Sequence, residues 1–181
     1  MPERARAIEG HTFTRSDKLL LDANVWLFID SPRYRPTDRQ AKIYSTALKR
    51  MLDARCTIFI DALILSEFVN VLARWEYNNL PVPQRPSDFK TFRNSSAFKA
   101  TAKNIADSCW RILQIATRIE SRFASCDPAD LLHQYEAGRS DFNDLLLAHL
   151  CRDQALTLVT DDADFRGIGL PILTANSRLL R

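Results

Sequence analysis

Asp22, Glu67, Asp144 and Asp162 are the side chains through which this sequence can do chemistry. Asp22 closes the apolar run Leu19–Leu20–Leu21. A carboxylate there costs free energy unless it is hydrogen-bonded, paired or bound to a metal. Asp162 follows a second apolar run, from Leu156 to Thr160. Asp141 and Asp144 are three residues apart and share a helix face. Glu67, Asn70 and Arg74 also share one face, so Arg74 can orient Glu67 or meet a phosphate. Asn24, two residues past Asp22, can position a water or a carboxylate through its amide. Gathered carboxylates repel and raise one another's pKa. A hard divalent cation relieves that conflict, and a set made of oxygens selects Mg²⁺ or Mn²⁺ over Zn²⁺. Such ions act on phosphoryl groups by polarising them, deprotonating a water and stabilising the leaving oxygen.

Taken singly, each acid has a plainer explanation. Asp141 and Asp144 suit a helix N-terminus, Glu67 an exposed helix face, and Asp161–Asp162 a turn. The case is collective and depends on the elements that carry them. Lys18–Asp22 and Thr57–Asp61 read as buried strands ending in acids, and Leu156–Thr160 as a third. Phe123–Cys126 reads as a brief strand and Pro171–Thr174 as the last. Helical spacing runs through Tyr44–Leu52, behind a capping-box pattern from Thr37 to Gln40, and through Leu65–Trp75 and Ile105–Ile119. Pro128 opens a short helix that Gly138 ends, and Ser140 caps the helix carrying Asp144. Alternating strands and helices predict an α/β fold, a doubly wound and mostly parallel sheet of four to five strands with helices on both faces. Its ligands belong at the carboxyl ends of the strands, where these acids fall. Asp61 reads as a helix N-cap.

The 181 residues suit one domain, 46% hydrophobic and 26% charged. Residues 1–17 read as an N-terminal arm, 18–181 as the domain, and 78–103 as a polar, basic insertion within it. The net charge is +3, and committing four acids to a metal leaves the remainder more positive, which favours a polyanionic partner. The four cysteines have no zinc spacing and read as buried thiols of a reducing compartment. With no leader-like segment and no apolar run of membrane length, a cytoplasmic location is expected. His11, His133 and His149 are isolated.

Four blocks carry a resemblance: Leu20–Asn24, Ser66–Glu67, Asp141–Ala148 and Val159–Phe165. In this order they resemble the motifs of PIN-domain nucleases, most closely the ribonuclease toxins of VapBC-type toxin–antitoxin pairs. The resemblance spans residues 18–174. It implies a PIN-like fold and Mg²⁺- or Mn²⁺-dependent cleavage of RNA, with Asp22, Glu67, Asp144 and Asp162 as the acids. Thr160 and Asp162 meet the family's Thr-x-Asp pattern, and Asp141 and Asp164 fall where some members carry further acids. It also implies a homodimer and a small antitoxin that inserts a segment toward the carboxylates. The arm and the insertion depart from the family pattern.

Within the insertion, Arg85, Lys90, Arg93, Lys99 and Lys103 alternate with Phe89, Phe92 and Phe98. Cations that follow phosphates and rings that stack bases suit single-stranded RNA. The opposing reading is a solvated connection whose phenylalanines dock into the core. Two other functions fit parts of the pattern. A small-substrate metal phosphohydrolase of the aspartyl-phosphate kind needs Asp-x-Asp, where this chain has Asp22 and Asn24. A non-catalytic PIN-like module that binds RNA or protein would keep the fold without the ion.

Overall fold

The structure, a computed structural model, describes residues 5–138 and 140–181. The first four residues of the predicted arm and residue 139 lie outside them. Among the described residues all six strands are parallel: β1 (Arg6–Ala7), β2 (Lys18–Leu21), β3 (Thr57–Asp61), β4 (Thr117–Ile119), β5 (Thr157–Val159) and β6 (Ile172–Thr174). Their order is β1-β6-β5-β2-β3-β4. The chain therefore winds one way from β2 through β3 to β4, and the other way from β5 to β6. The direction changes between β2 and β5. Right-handed crossovers on the two sides of such a switch put helices on opposite faces and leave a crevice at the strands' carboxyl ends.

Seven helices connect the strands among the described residues: α1 (Ala23–Ile29), α2 (Arg39–Asp53), α3 (Ala62–Asn79), α4 (Phe89–Arg93), α5 (Phe98–Ile115), α6 (Pro128–Glu136) and α7 (Phe142–Gln154). The central strand is the most apolar. Leu19, Leu20 and Leu21 are buried, as a strand covered on both faces requires. Around it pack Trp26 of α1, Tyr44 and Met51 of α2, Phe68 of α3 and Phe165 after β5.

Several elements differ from the sequence reading. The sheet has six strands, because the N-terminal segment adds an edge. Arg6 and Ala7 pair with Leu173 and Thr174, and Ile8 and Phe13 are buried. The Arg50 guanidinium ties this segment down by donating to the carbonyls of Ile8, Glu9 and His11. The strand expected at Phe123–Cys126 is instead a 3-10 turn over Phe123–Ser125. It follows Arg122, whose φ of 60° lies in the left-handed region. The strand there is β4, which borders β3 with Phe59 against Thr117 and Asp61 against Ile119. Its three residues prolong the apolar spacing of α5, which hid the helix end at Ile115. The Thr37 capping box does not form: Asp38 is the N-cap of α2 and accepts from Arg35 N–H instead. Asp141, rather than Ser140, caps α7, with its carboxylate accepting from Asp144 N–H at 2.9 Å. Helix α1 begins directly at Asp22 and had no separate sequence signal.

The insertion is ordered as α4 and the start of α5. Phe92 is buried against Tyr77 and Phe98, and Phe89 is half-buried beside Tyr77. Its phenylalanines thus act as docking residues. Cys151 is buried, while Cys56, Cys109 and Cys126 are half-buried, and all four are free thiols. No helix among the described residues is long and apolar enough to cross a membrane.

Candidate active site

The switch between β2 and β5 places Asp22 opposite the end of β5. Asp22 is 5% exposed and is held by three donors. Its Oδ1 accepts from Ala23 N–H at 2.6 Å, which caps α1. Its Oδ2 accepts from Thr160 Oγ1 at 2.7 Å and from the Asn24 amide at 2.6 Å. Thr160, wholly buried, in turn accepts from Asp162 N–H at 3.0 Å through its hydroxyl oxygen. Asn24 Oδ1 accepts from Asp161 N–H at 3.0 Å. Both ends of the Asn24 amide are therefore engaged in clamping β2 to β5. That geometry makes Asn24 a strut, and the acid–base partner of an aspartyl-phosphate mechanism is missing from its place.

Burial is the main force on Asp22, and it pushes the carboxyl up to about 6 despite these donors, with Asp162 adding to the rise. Glu67 stands on the outer side of α3, one and a half turns past its N-cap. Its carboxyl is pushed up to about 7 by partial burial, then by the charges of Asp22, Asp141 and Asp162. Asp144, in the first turn of α7, is also raised to about 7, by burial and then by Asp141, Asp22, Asp162 and Asp164. Glu67 and Asp144 thus both lie within electrostatic reach of Asp22, Asp141 and Asp162, and Asp144 also of Asp164, although these acids come from four separate segments. Asp162 caps the 3-10 turn after β5 by accepting from Asp164 N–H at 3.0 Å. The caps at Asp22, Asp141 and Asp162 follow one local logic. An acid at the end of a strand or loop takes up the first free N–H groups of the next helix or turn.

The donor set is made of oxygens, which suits Mg²⁺ or Mn²⁺. Among the described residues, no three carboxylate, imidazole or thiolate side chains stand close enough together to form a ready-made ion cage. The fit is therefore one of donor chemistry and convergence.

Other predicted residues lie elsewhere. Arg74 is exposed and lies over the Phe89 ring at 4.9 Å, away from Glu67. Arg85 folds back onto the carbonyls of Asn78 and Leu80, and Lys103 pairs with Asp107 at 2.8 Å. Lys90, Arg93 and Lys99 are exposed on the insertion. Asp61 caps α3 through Leu63 N–H at 2.7 Å, and its second oxygen is buried with no hydrogen-bond partner. Burial raises its pKa, with Glu120 contributing, and none of the six acids acts on it.

A second layer had no signal in the sequence. Tyr44 of α2 donates to Asp161 Oδ1 at 2.7 Å and accepts from Ala175 N–H at 2.9 Å. The Asn176 amide donates to the Asp161 carbonyl. These contacts tie Asp161 to α2 and to the segment after β6, and so fix the loop that presents Asp162.

VapBC2 from Rickettsia felis, solved bound to a DNA fragment from its promoter, is 16% identical to this chain. The match covers 86% of this chain and 97% of that one, with a TM-score of 0.53. PAE2754 from Pyrobaculum aerophilum is 15% identical, with coverage of 98% and 96% and a TM-score of 0.47. No curated protein matches. The PIN domain family matches residues 19–170, from the start of the central strand to the foot of β6, and the chain belongs to that family.

Proposed function

We propose that this protein is a metal-dependent endoribonuclease that cuts single-stranded or structured RNA, and that it is the toxin of a toxin–antitoxin pair. The observation that carries the reading is the convergence of acids from four segments at the switch point, where Glu67 and Asp144 both feel the charges of Asp22, Asp141 and Asp162. One of them, Asp22, is buried and fixed in orientation by Thr160 and Asn24. Repulsion of this kind is costly without a cation, and PIN domains are generally nucleases. The likeness to VapBC2 supports the fold and is the reason for placing an antitoxin among the partners.

Asp22, Glu67, Asp144 and Asp162 would hold Mg²⁺ or Mn²⁺, with Asp141 and Asp164 in support. The ion, when bound, lowers the pKa of a water and stabilises developing charge on the phosphate. The chain's own residues hold the donors ready. Thr160 and Asn24 keep one Asp22 oxygen saturated with donors, so the carboxylate cannot rotate. Asp141 caps α7 and thereby sets the position of Asp144. Exposed Lys90, Arg93 and Lys99 give the insertion a positive face for RNA.

The purified chain is expected to cleave single-stranded RNA in Mg²⁺ or Mn²⁺, and Asp22→Asn to abolish that cleavage. Wild-type rates from Asp22→Asn would sink the assignment. Co-purification of a small protein encoded beside this one, with activity suppressed in the complex, tests the antitoxin. Scattering measurements of mass test the homodimer.

A further inference from the structure

A cavity of about 410 Å³ lies along α7, and nothing in the proposed chemistry uses it. His133 and Gln134 of α6 line it, with Ser140, Leu145 and Arg152 along α7 and Arg166 from the loop before β6. Three of its lining residues border the acids along the chain: Ser140 precedes Asp141, Leu145 follows Asp144, and Arg166 comes two residues after Asp164. Yet no carboxylate lines it. The Gln134 amide is engaged with Asp130 at 2.8 Å. Arg152 donates to the Ile168 carbonyl at 2.7 Å, and Arg166 makes one long bond of 3.4 Å to the Arg181 carbonyl. Among the described residues, neither guanidinium has an ion pair. A guanidinium carries five N–H donors in a planar fork, so each keeps most of its donors for a guest.

This pairing of opposites has a reason. A strand of RNA laid across gathered carboxylates is repelled wherever the ion does not screen it. Cations just outside the acid cluster would hold the flanking backbone. Arg152 sits eight residues beyond Asp144 on one helix, about 12 Å along its axis. It is too far to serve the phosphate at the acids and well placed for a neighbouring one. We propose that the cavity seats a phosphate of the RNA strand flanking the cleaved bond. Arg152 and Arg166 grip it, and the His133 imidazole is a third donor. The inference rests on the nuclease reading for its substrate.

The test is binding of a labelled single-stranded oligoribonucleotide in EDTA across a salt series, with wild type, R152Q, R166Q, the double variant and R152K. Melting temperatures are recorded beside it, since R152Q also loses the bond to Ile168. R166Q, with its single long bond, carries the test if R152Q unfolds. The slope of log affinity against log salt is expected to flatten by about 0.7 for each arginine lost and about 1.4 in the double variant. Affinity of the double variant at low salt falls about tenfold or more. R152K keeps the slope while binding more weakly, because it keeps the charge and loses the fork. A wild type that binds no oligonucleotide, or unchanged slopes in folded R166Q and the double variant, overturns the proposal. So does a loss confined to binding of an acidic poly-glutamate peptide. Metal-dependent cleavage by wild type is measured in parallel. Cleavage with unchanged slopes removes this phosphate seat and leaves the nuclease standing. Flattened slopes without cleavage keep the seat and remove the nuclease.

Discussion

The acid edge between β2 and β5 and the N-terminal segment around Arg50 are polar networks on one sheet, built in opposite ways. Around Arg50 one cation meets three carbonyls, and its guanidinium lies 5.2 Å from the Phe13 ring. Donor and acceptor are matched, so the contacts close the sheet and ask for nothing further. At the acid edge, Asp22 alone has a full set of donors, while Glu67 and Asp144 face charges of their own sign. Matched polarity stabilises a fold, whereas unmatched charge stores affinity for an ion at the fold's expense. Substitutions at the acid edge should therefore trade activity for stability, whereas those around Arg50 should cost stability alone.

After the loss of cleavage in Asp22→Asn, the largest effect is expected at Asp144. Asp144→Asn should lower RNA cleavage by about 10²–10⁴-fold. In EDTA at pH 8 it should also melt higher than wild type, because a repelled charge is gone. A variant that cleaves normally and melts lower would erase the contrast. The pH dependence comes next. The folded-state pKa values of Asp22, Glu67 and Asp144 are raised to about 6, 7 and 7. Between about pH 4 and 7 the native state then holds protons that the unfolded chain has released, and stability falls as pH rises. Melting in EDTA should drop across that window, and Mn²⁺ should restore it at pH 8. A flat profile in EDTA would show that the acids do not strain the fold.

Smaller effects are expected where the networks are matched. Arg50→Ala should cost about 2–3 kcal/mol, read as a lower urea midpoint, with the cleavage rate of the folded fraction unchanged. If activity falls with stability intact, the segment belongs to the site after all. Tyr44→Phe should cost about 1–2 kcal/mol, since the buried Ala175 N–H loses its acceptor. It tests the joint between the regions: a drop in activity larger than the drop in stability would show that Tyr44 also positions Asp162.

What the sequence revealed follows from how far each signal reaches. β2, β3, β5 and β6 were readable because buried parallel strands are apolar runs, and Asp22 and Asp162 were readable because they follow two of those runs. β1 was not, since Arg6 and Ala7 are both exposed and owe their strand geometry to β6. β4 was lost inside helical spacing, and α1 was hidden because a single residue, Asp22, ends the strand and caps the helix. Glu67 was legible as a helix position, but its raised pKa depends on partial burial and then on Asp22, Asp141 and Asp162, all of which only the fold supplies. Arg74 was misplaced because helix periodicity gives a face and says nothing of the Phe89 ring that occupies it. The Tyr44–Asp161–Ala175 contacts span more than a hundred residues and leave no local pattern.

The order of strands also bears on how the molecule reaches this state. β2 pairs with β3 after a short crossover, but its pairing with β5 joins Leu19–Leu21 to Thr157–Val159 across most of the chain. Bringing such distant segments together is entropically expensive and comes late on a folding path governed by loop closure. Asp22 and Glu67 lie on the early side of that closure, and Asp141, Asp144, Asp162 and Asp164 on the late side. A half-folded chain therefore carries two separate, weakly charged clusters. The full repulsion arises only as β5 docks, so the step that completes the sheet also assembles the site.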